Sequence, residues 1–323
     1  MDSKNVNKVA LVTGANSGLG LEAAAQLAEE GFGSVIVTSR TATKAEQSVA
    51  ELAARTGRDA FSFVTLDNGE LDTVEHAAAV IAERGDQIDF LLLNAGIAPP
   101  QTFTATPDGY EATVASTLIG HHLLTMRLLE AGMLAPNARI VIAGSEAARG
   151  DVPTMNPADI GGFATQLDGS LESAIEHQIR MEAPATYKPN DVYATAKVFV
   201  AWWAASLARR LPVGMTVNAV SPGATPGTNV VRDAPFFMKY VMLPAMRILP
   251  GMSHSVADGA GRYLEAEEYD ASVSGRFFAS KPKKMTGPLV EIQMERFDDQ
   301  PLQEALWATT TRLAGGVDYP AAA

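Results

Sequence analysis

Short, almost unbroken apolar runs that alternate with helical stretches constrain this chain more than any other feature. Val9-Ala10-Leu11-Val12, Val35-Ile36-Val37, Phe61 to Leu66, Phe90-Leu91-Leu92-Leu93, Ile140-Val141-Ile142 and Val217 to Val220 are apolar at nearly consecutive positions. Strands buried on both faces read this way, whereas half-solvated strands alternate with polar residues. Between the first two runs Leu19, Ala23 and Leu27 recur at helical spacing, and Gly31 supplies a stop. A βαβαβ order with right-handed crossovers gives an open, doubly wound parallel α/β sheet flanked by helices. With 47% hydrophobic residues, no internal repeat and no low-complexity linker, a single domain over residues 1–323 is expected. Two stretches break the alternation: an insert at about 147–190, rich in Pro, Gly and acidic residues, and a segment at about 229–256 that holds Phe236, Phe237, Met238, Met242, Met246 and Met252.

The absence of cysteine removes disulfides, thiolate zinc sites, iron–sulfur clusters and cysteine nucleophiles together. Lys plus Arg number 25 against 37 Asp plus Glu, a formal charge of −12, which argues against nucleic acid and leaves room only for a local basic pocket. Residues Met1 to Asn5 lack the apolar stretch of a secretory signal. No run is long enough to span a membrane; the nearest, Phe236 to Leu249, contains Lys239, Pro244 and Arg247. A cytoplasmic protein with no transmembrane segment is the expectation. His121 and His122 are adjacent while His76, His177 and His254 are scattered, so no metal is expected.

Thr13-Gly14-Ala15-Asn16-Ser17-Gly18-Leu19-Gly20 follows the first strand and opens the first helix. Glycines there permit a tight turn and close backbone approach, and the helix N-terminus offers free N–H groups to a pyrophosphate. The end of the second strand selects the nicotinamide cofactor: an acidic side chain bonds a ribose 2′-hydroxyl, a basic one a 2′-phosphate. This chain has Ser39-Arg40 there, with Lys44 one helical turn onward. Arg40 can form a charge-assisted pair with a phosphate, so NADP(H) is expected in preference to NAD(H).

Tyr193-Ala194-Thr195-Ala196-Lys197 sets a phenol and an ammonium at i and i+4 on one helix face. A free tyrosine titrates near about 10 and is sluggish in proton transfer at neutral pH. A neighbouring cation favours the phenolate, and a drop of about 3 units would amount to roughly 4 kcal/mol.

These motifs, with Ser145 closing the fifth strand and Val217-Asn218-Ala219-Val220-Ser221-Pro222-Gly223 as the sixth and its loop, resemble the short-chain dehydrogenase/reductase family over roughly residues 6–230. The Gly-x3-Gly-x-Gly spacing of the first loop and Asn94-Ala95-Gly96 carry the same likeness. The resemblance implies a Rossmann-type fold and hydride transfer between nicotinamide and a carbonyl or alcohol. It makes Tyr193 the general acid/base, Ser145 the donor to the substrate oxygen, and Lys197 both pKa tuner and ribose anchor. Gly14, Asn16, Ser17, Gly18, Leu19 and Gly20 would cradle the pyrophosphate. Asp67 and Asn68 would sit by the adenine, Asn94, Ala95 and Gly96 by its ribose. Pro222, Gly223, Thr225 and Thr228 would cover the carboxamide and pyrophosphate end.

Two departures stand out. The family's relay asparagine aligns with Thr117, which is therefore expected to modify a water-mediated proton relay. Ser145 and Tyr193 are separated by a long insert, which could fold over the cleft; in carbonyl-reductase relatives a long insert here obstructs the usual dimer face, so monomer and homodimer both remain open. Beyond residue 229 the likeness is looser, to the retinol-dehydrogenase and protochlorophyllide-reductase branch, and makes Val273 to Phe278 the last strand. The Met and Phe stripe reads either as core or as a lid for a bulky lipophilic carbonyl or alcohol substrate. Trp202 and Trp203 lie on the helix that often forms the family's dimer interface. Reduction of an activated carbon–carbon double bond, and NADP(H) sensing without turnover, are the alternative functions.

Overall fold

The computed structural model describes residues 5–225 and 253–318. Thr228 and nearly all of the 229–256 segment fall outside these residues. One eight-stranded sheet runs in the order β3-β2-β1-β4-β5-β6-β7-β8. Its strands are β1 (Val9–Val12), β2 (Ser34–Ser39), β3 (Phe61–Thr65), β4 (Ile88–Leu93), β5 (Leu134–Ala143), β6 (Thr216–Val220), β7 (Phe277–Ala279) and β8 (Val290–Glu291). All neighbours pair in parallel except β7 with β8. Strand order reverses between β1 and β4, and a doubly wound sheet opens its crevice there, outside the carboxyl ends of the strands.

The apolar runs become strands because both faces are covered. Leu11, Ile36, Leu91 and Ile140 pack into one helical layer, while their neighbours Ala10, Val12, Val35, Val37, Leu92 and Val141 pack into the other. The helices are α1 (Gly18–Glu29), α2 (Ala42–Thr56), α3 (Leu71–Arg84), α4 (Ala112–Val114), α5 (Gly120–Glu130), α6 (Ile160–Gln166), α7 (Leu171–Arg180), α8 (Pro189–Ala208), α9 (Val256–Glu265), α10 (Glu295–Asp298) and α11 (Gln300–Leu313). A π-turn, Ala115–Ile119, joins α4 to α5.

The end of the sheet differs from expectation. Gly275, at φ +75°, turns the chain, so the strand expected at 273–278 begins only at Phe277. It is also not the last, because the antiparallel β8 pairs beyond it.

The insert supplies α6 and α7, and α11 lies across α7 and α8. Arg312 pairs with Glu176 at 2.6 Å, the Ser206 hydroxyl donates to Gln303 O at 3.0 Å, and Arg210 pairs with Glu304 at 2.6 Å. Trp202 and Trp203 are both buried inside the chain, donating to Arg296 O (2.6 Å) and His122 Nδ1 (3.0 Å). Among the described residues no helix is long and apolar enough to cross a membrane.

Candidate active site

The glycine turn between β1 and α1 is held from two sides. On one, Thr38 of β2 accepts the N–H of Gly14 on its hydroxyl (3.2 Å) and the N–H of Ala15 on its carbonyl (3.0 Å). On the other, Asn94 Nδ2 donates to Thr13 O (3.0 Å), and the Ala95 N–H donates to the Thr13 hydroxyl (3.0 Å). Gly14 has φ +65°, and a Cβ on it would lie 2.9 Å from Ala95 Cα, so backbone packs on backbone where only glycine fits. Asn16 is exposed, Ser17 immediately precedes α1, and Gly18, Leu19 and Gly20 form its first turn.

Arg40 follows β2 and Lys44 lies in the first turn of α2, both exposed. Neither pairs with an acidic side chain among the described residues. Asp67 caps its own turn by accepting the Gly69 N–H at 2.9 Å. Beside these, two buried oxygens lack hydrogen-bond partners: Ser39 Oγ at the end of β2 and Asn68 Oδ1 just beyond β3. Buried polar groups normally find partners, so orphans at these strand ends suit a ligand with hydrogen-bonding edges. The glycine cradle, the N-terminus of α1, the orphan acceptors and two unpaired cations together fit a dinucleotide.

On the opposite side of the crevice Ser145 follows β5 and caps a short 3-10 turn (Glu146–Arg149), accepting the Ala147 N–H on its hydroxyl at 3.2 Å. Tyr193 and Lys197 come from α8. Lys197 Nζ lies 5.7 Å from the Tyr193 ring centroid and donates to Ala143 O at 2.7 Å, which ties α8 to the end of β5. Burial pushes the Lys197 ammonium down to about 8. The Tyr193 phenol is held above its ordinary value: burial dominates, the Glu146 charge adds to it, and the Ser145 hydroxyl opposes it. This is opposite to the direction expected from the Tyr–Lys spacing, because burial disfavours the charged phenolate. Pro222, Gly223 and Thr225 follow β6 at the same end of the sheet.

Thr117 lies in the π-turn, 2% exposed, and its Oγ1 would be 3.1 Å from a Cβ on Gly96. Its carbonyl is 2.9 Å from His121 Nδ1, and His121 Nε2 is 2.9 Å from the Thr13 hydroxyl. A carbonyl only accepts, so Nδ1 carries the hydrogen and Nε2 accepts from Thr13. Burial drives His121 down to about 3, so it is neutral.

Sequence reasoning missed this imidazole and missed two fully buried charges, Glu146 and Arg149. Arg149 Nη1 donates to Ser280 O (2.5 Å) and Lys281 O (3.2 Å), and Nη2 to Lys284 O (2.8 Å). The available signal was a Glu and an Arg in a short segment closing an apolar strand, where charge has to find partners. No cluster of metal-ligating side chains occurs among the described residues.

Residues 8–157 match the short chain dehydrogenase family. Mouse polyprenol dehydrogenase is 30% identical over 95% of this chain and 84% of its own length. The chain belongs to the short-chain dehydrogenase/reductase family. Human retinol dehydrogenase 13 is 28% identical over 95% of the chain and 85% of its own, which places this member in the retinol-dehydrogenase-like branch. Among solved structures, a short chain dehydrogenase from Burkholderia cenocepacia in complex with NADP superposes with a TM-score of 0.60 at 25% identity, covering 84% of this chain and 95% of that one. The family is one of oxidoreductases that use a nicotinamide cofactor and a small-molecule substrate.

Proposed function

We propose that this family member is an NADP(H)-dependent enzyme that interconverts a carbonyl and an alcohol on a bulky, lipophilic substrate. The observation that carries the reading is the convergence of Ser145, Tyr193 and Lys197 at the carboxyl end of β5, across the crevice from the glycine turn. A bound nicotinamide supplies the hydride. Ser145 takes the Ala147 N–H on one lone pair, and its O–H, the same group that favours the Tyr193 phenolate, is the donor that would meet the substrate oxygen. Tyr193, raised by burial, keeps its proton at neutral pH and donates it to that oxygen as negative charge develops there. Lys197 is mostly protonated at pH 7, and the ammonium beside the ring stabilises the phenolate left behind.

The 2′-phosphate reading is supported by Arg40 after β2 and Lys44 in the first turn of α2, neither paired with an acidic side chain among the described residues, and by the NADP held by the Burkholderia relative. A lipophilic substrate is supported by the names of the retinol and polyprenol relatives, and by Ile97, Pro99, Pro100 and Phe103 in the loop after β4. Phe103 is 44% exposed and meets Tyr187 edge-on at 5.9 Å. Because α11 lies across α8, the helix that often makes the family's dimer interface, a monomer is the favoured state, to be checked by light scattering.

The test follows the absorbance of reduced nicotinamide with a panel of bulky ketones, quinones and enones, using NADPH and NADH side by side. Oxidation of NADPH with a bulky ketone supports the reading. Tight NADPH binding without turnover on any of them sinks it in favour of a sensor, and turnover confined to enones would reassign the chemistry to double-bond reduction.

A further inference from the structure

Glu146, the residue immediately after Ser145, is 1% exposed. A buried carboxylate is costly unless other groups replace the water it loses, so its partners show what the charge holds. The Ser221 hydroxyl donates to Glu146 Oε2. The Ser280 N–H and hydroxyl donate to Oε1 at 3.1 and 3.0 Å, and Arg262 Nη1 lies 3.5 Å from the same oxygen. Each serine is used twice. Ser280 Oγ accepts from Arg262 Nη2 at 3.0 Å, and Ser221 Oγ accepts the N–H of Gly223 at 3.2 Å.

That last contact reaches the turn after β6. Gly223 has φ +76°, and a Cβ there would sit 2.6 Å from Arg262 Nη1 and 2.4 Å from His254 Cδ2, so the turn is seated directly on this cluster. Ala224 continues the clasp: its N–H donates to Met285 O (2.9 Å) and its carbonyl accepts the His254 N–H (2.7 Å). One carboxylate therefore joins the end of β5 that bears Ser145, the turn after β6, α9 through Arg262, and Ser280 beyond β7. Arg149, in the same 3-10 turn, donates instead to the backbone carbonyls of Ser280, Lys281 and Lys284 and, through Nε, to Asp151 Oδ1 at 3.0 Å, partners that lie outside the turn after β6.

We infer that Glu146 is a positioning residue: acting through Ser221, its carboxylate sets the Pro222–Gly223 turn against the Ser145 hydroxyl, and so fixes the nicotinamide face relative to the substrate oxygen. The inference rests on the reading above that this turn covers the nicotinamide.

The experiment uses the full chain and the pair Glu146→Gln and Ser221→Ala, singly and together. Glu146→Gln keeps the shape but removes the charge and half of the acceptors. Hydrogen bonds to charged groups carry enough free energy for about 10- to 100-fold effects. NADPH affinity, read from the fluorescence of the bound reduced nicotinamide, is expected to fall about 10-fold in either single variant. In kinetics, kcat should fall more than KM rises, and the isotope effect with NADPH deuterated at the transferred position should increase, because hydride transfer becomes slower. A side chain that merely packs would lower thermal stability and leave that isotope effect alone. The two substitutions act on one connection, so the double variant should be no worse than the poorer single one, whereas independent effects would multiply. Multiplying effects, or NADPH fluorescence and affinity like the parent's in both single variants, would overturn the inference. Should Glu146→Gln fail to fold, Ser221→Ala alone reads the same connection, and parental fluorescence and affinity there overturn it too. If no carbonyl is turned over, the proposed function falls, while the NADPH fluorescence comparison still judges Glu146.

Discussion

On the β1–β3 side of the crevice the site is made mostly by backbone from residues close in sequence: a glycine turn, a helix N-terminus, and strand ends with Arg40, Ser39 and Asn68. On the β5–β7 side it is made by buried side chains that reach far along the chain, Glu146 to Ser280 and Arg262, Arg149 to Lys284, Lys197 to Ala143. The first construction suits an anion and an adenosine, as the proposed function requires, at little electrostatic cost. The second sets proton-transfer groups and must bury charge to do so. On the proposed function, substitutions on the β1–β3 side should leave the chemistry nearly intact, and those of the proton-transfer groups should leave NADPH affinity nearly intact, the Glu146–Ser221 connection to the turn after β6 excepted.

The largest separation is expected from Tyr193→Phe. General acid catalysis is worth about 10²- to 10⁴-fold, so turnover should fall by that range while NADPH affinity stays within a few-fold. Steady-state kinetics beside a binding titration checks it. A loss of affinity as large as the loss of rate would break the separation.

Acidification comes next, because two buried histidines stitch the halves together. His121 links Thr117 to Thr13, and His122 accepts from Trp203 of α8 and lies 3.4 Å from Thr311 of α11. Burial holds them down at about 3 and about 4. Both stay neutral in the fold yet take up protons once unfolded below their ordinary value, so stability is full above about pH 6.5 and declines as pH falls. Between pH 7 and 5 the pair should cost about 4 kcal/mol, a slope set by two protons bound on unfolding. Urea unfolding at the two pH values measures it, and His122→Gln should remove about half of the difference. An unchanged difference in that variant would mean other groups set the acid sensitivity.

This contrast also explains what could be read from the chain beforehand. The parallel sheet was legible because a strand covered on both faces must be apolar at successive positions, as β1, residues 90–93 of β4 and residues 140–143 of β5 are. The placement of Gly14, Arg40, Ser145, Tyr193 and Lys197 at the strand ends and on α8 was legible because each belongs to a short motif. The partners of Glu146 were not, since Ser221, Arg262 and Ser280 become its neighbours only when β5, β6, α9 and the segment after β7 assemble. The burial that holds the Tyr193 phenol up was not legible for the same reason: helical spacing places a cation nearby, but desolvation comes from the whole fold. At the far edge, Gly275 and the two-residue β8 escaped periodicity because so few residues carry no period.

A smaller effect, confined to the binding side, is expected at Arg40. One charge-assisted pair with a 2′-phosphate is worth about 1.5–3 kcal/mol, so Arg40→Ala should weaken NADPH about 10- to 100-fold and NADH hardly at all. Titration of both cofactors against the same variant gives the ratio. Equal losses would remove the 2′-phosphate argument.

The smallest effect is expected at Thr117, where the two sides meet. Its carbonyl is held by His121, so the backbone contact survives any side chain placed there. Its hydroxyl faces Gly96 in a nearly closed space, 2% exposed. An asparagine at this position must fit one more heavy atom, on a longer side chain, beside Gly96, an overpacking cost of about 1 kcal/mol in stability. If the relay runs through the carbonyl that His121 orients, Thr117→Asn should change kcat by less than about 5-fold, the factor that 1 kcal/mol buys in a barrier. Pre-steady-state kinetics in the parent and the variant reads this directly. A gain well beyond that range would show that the side chain carries the relay and that threonine has been holding the chemical side back.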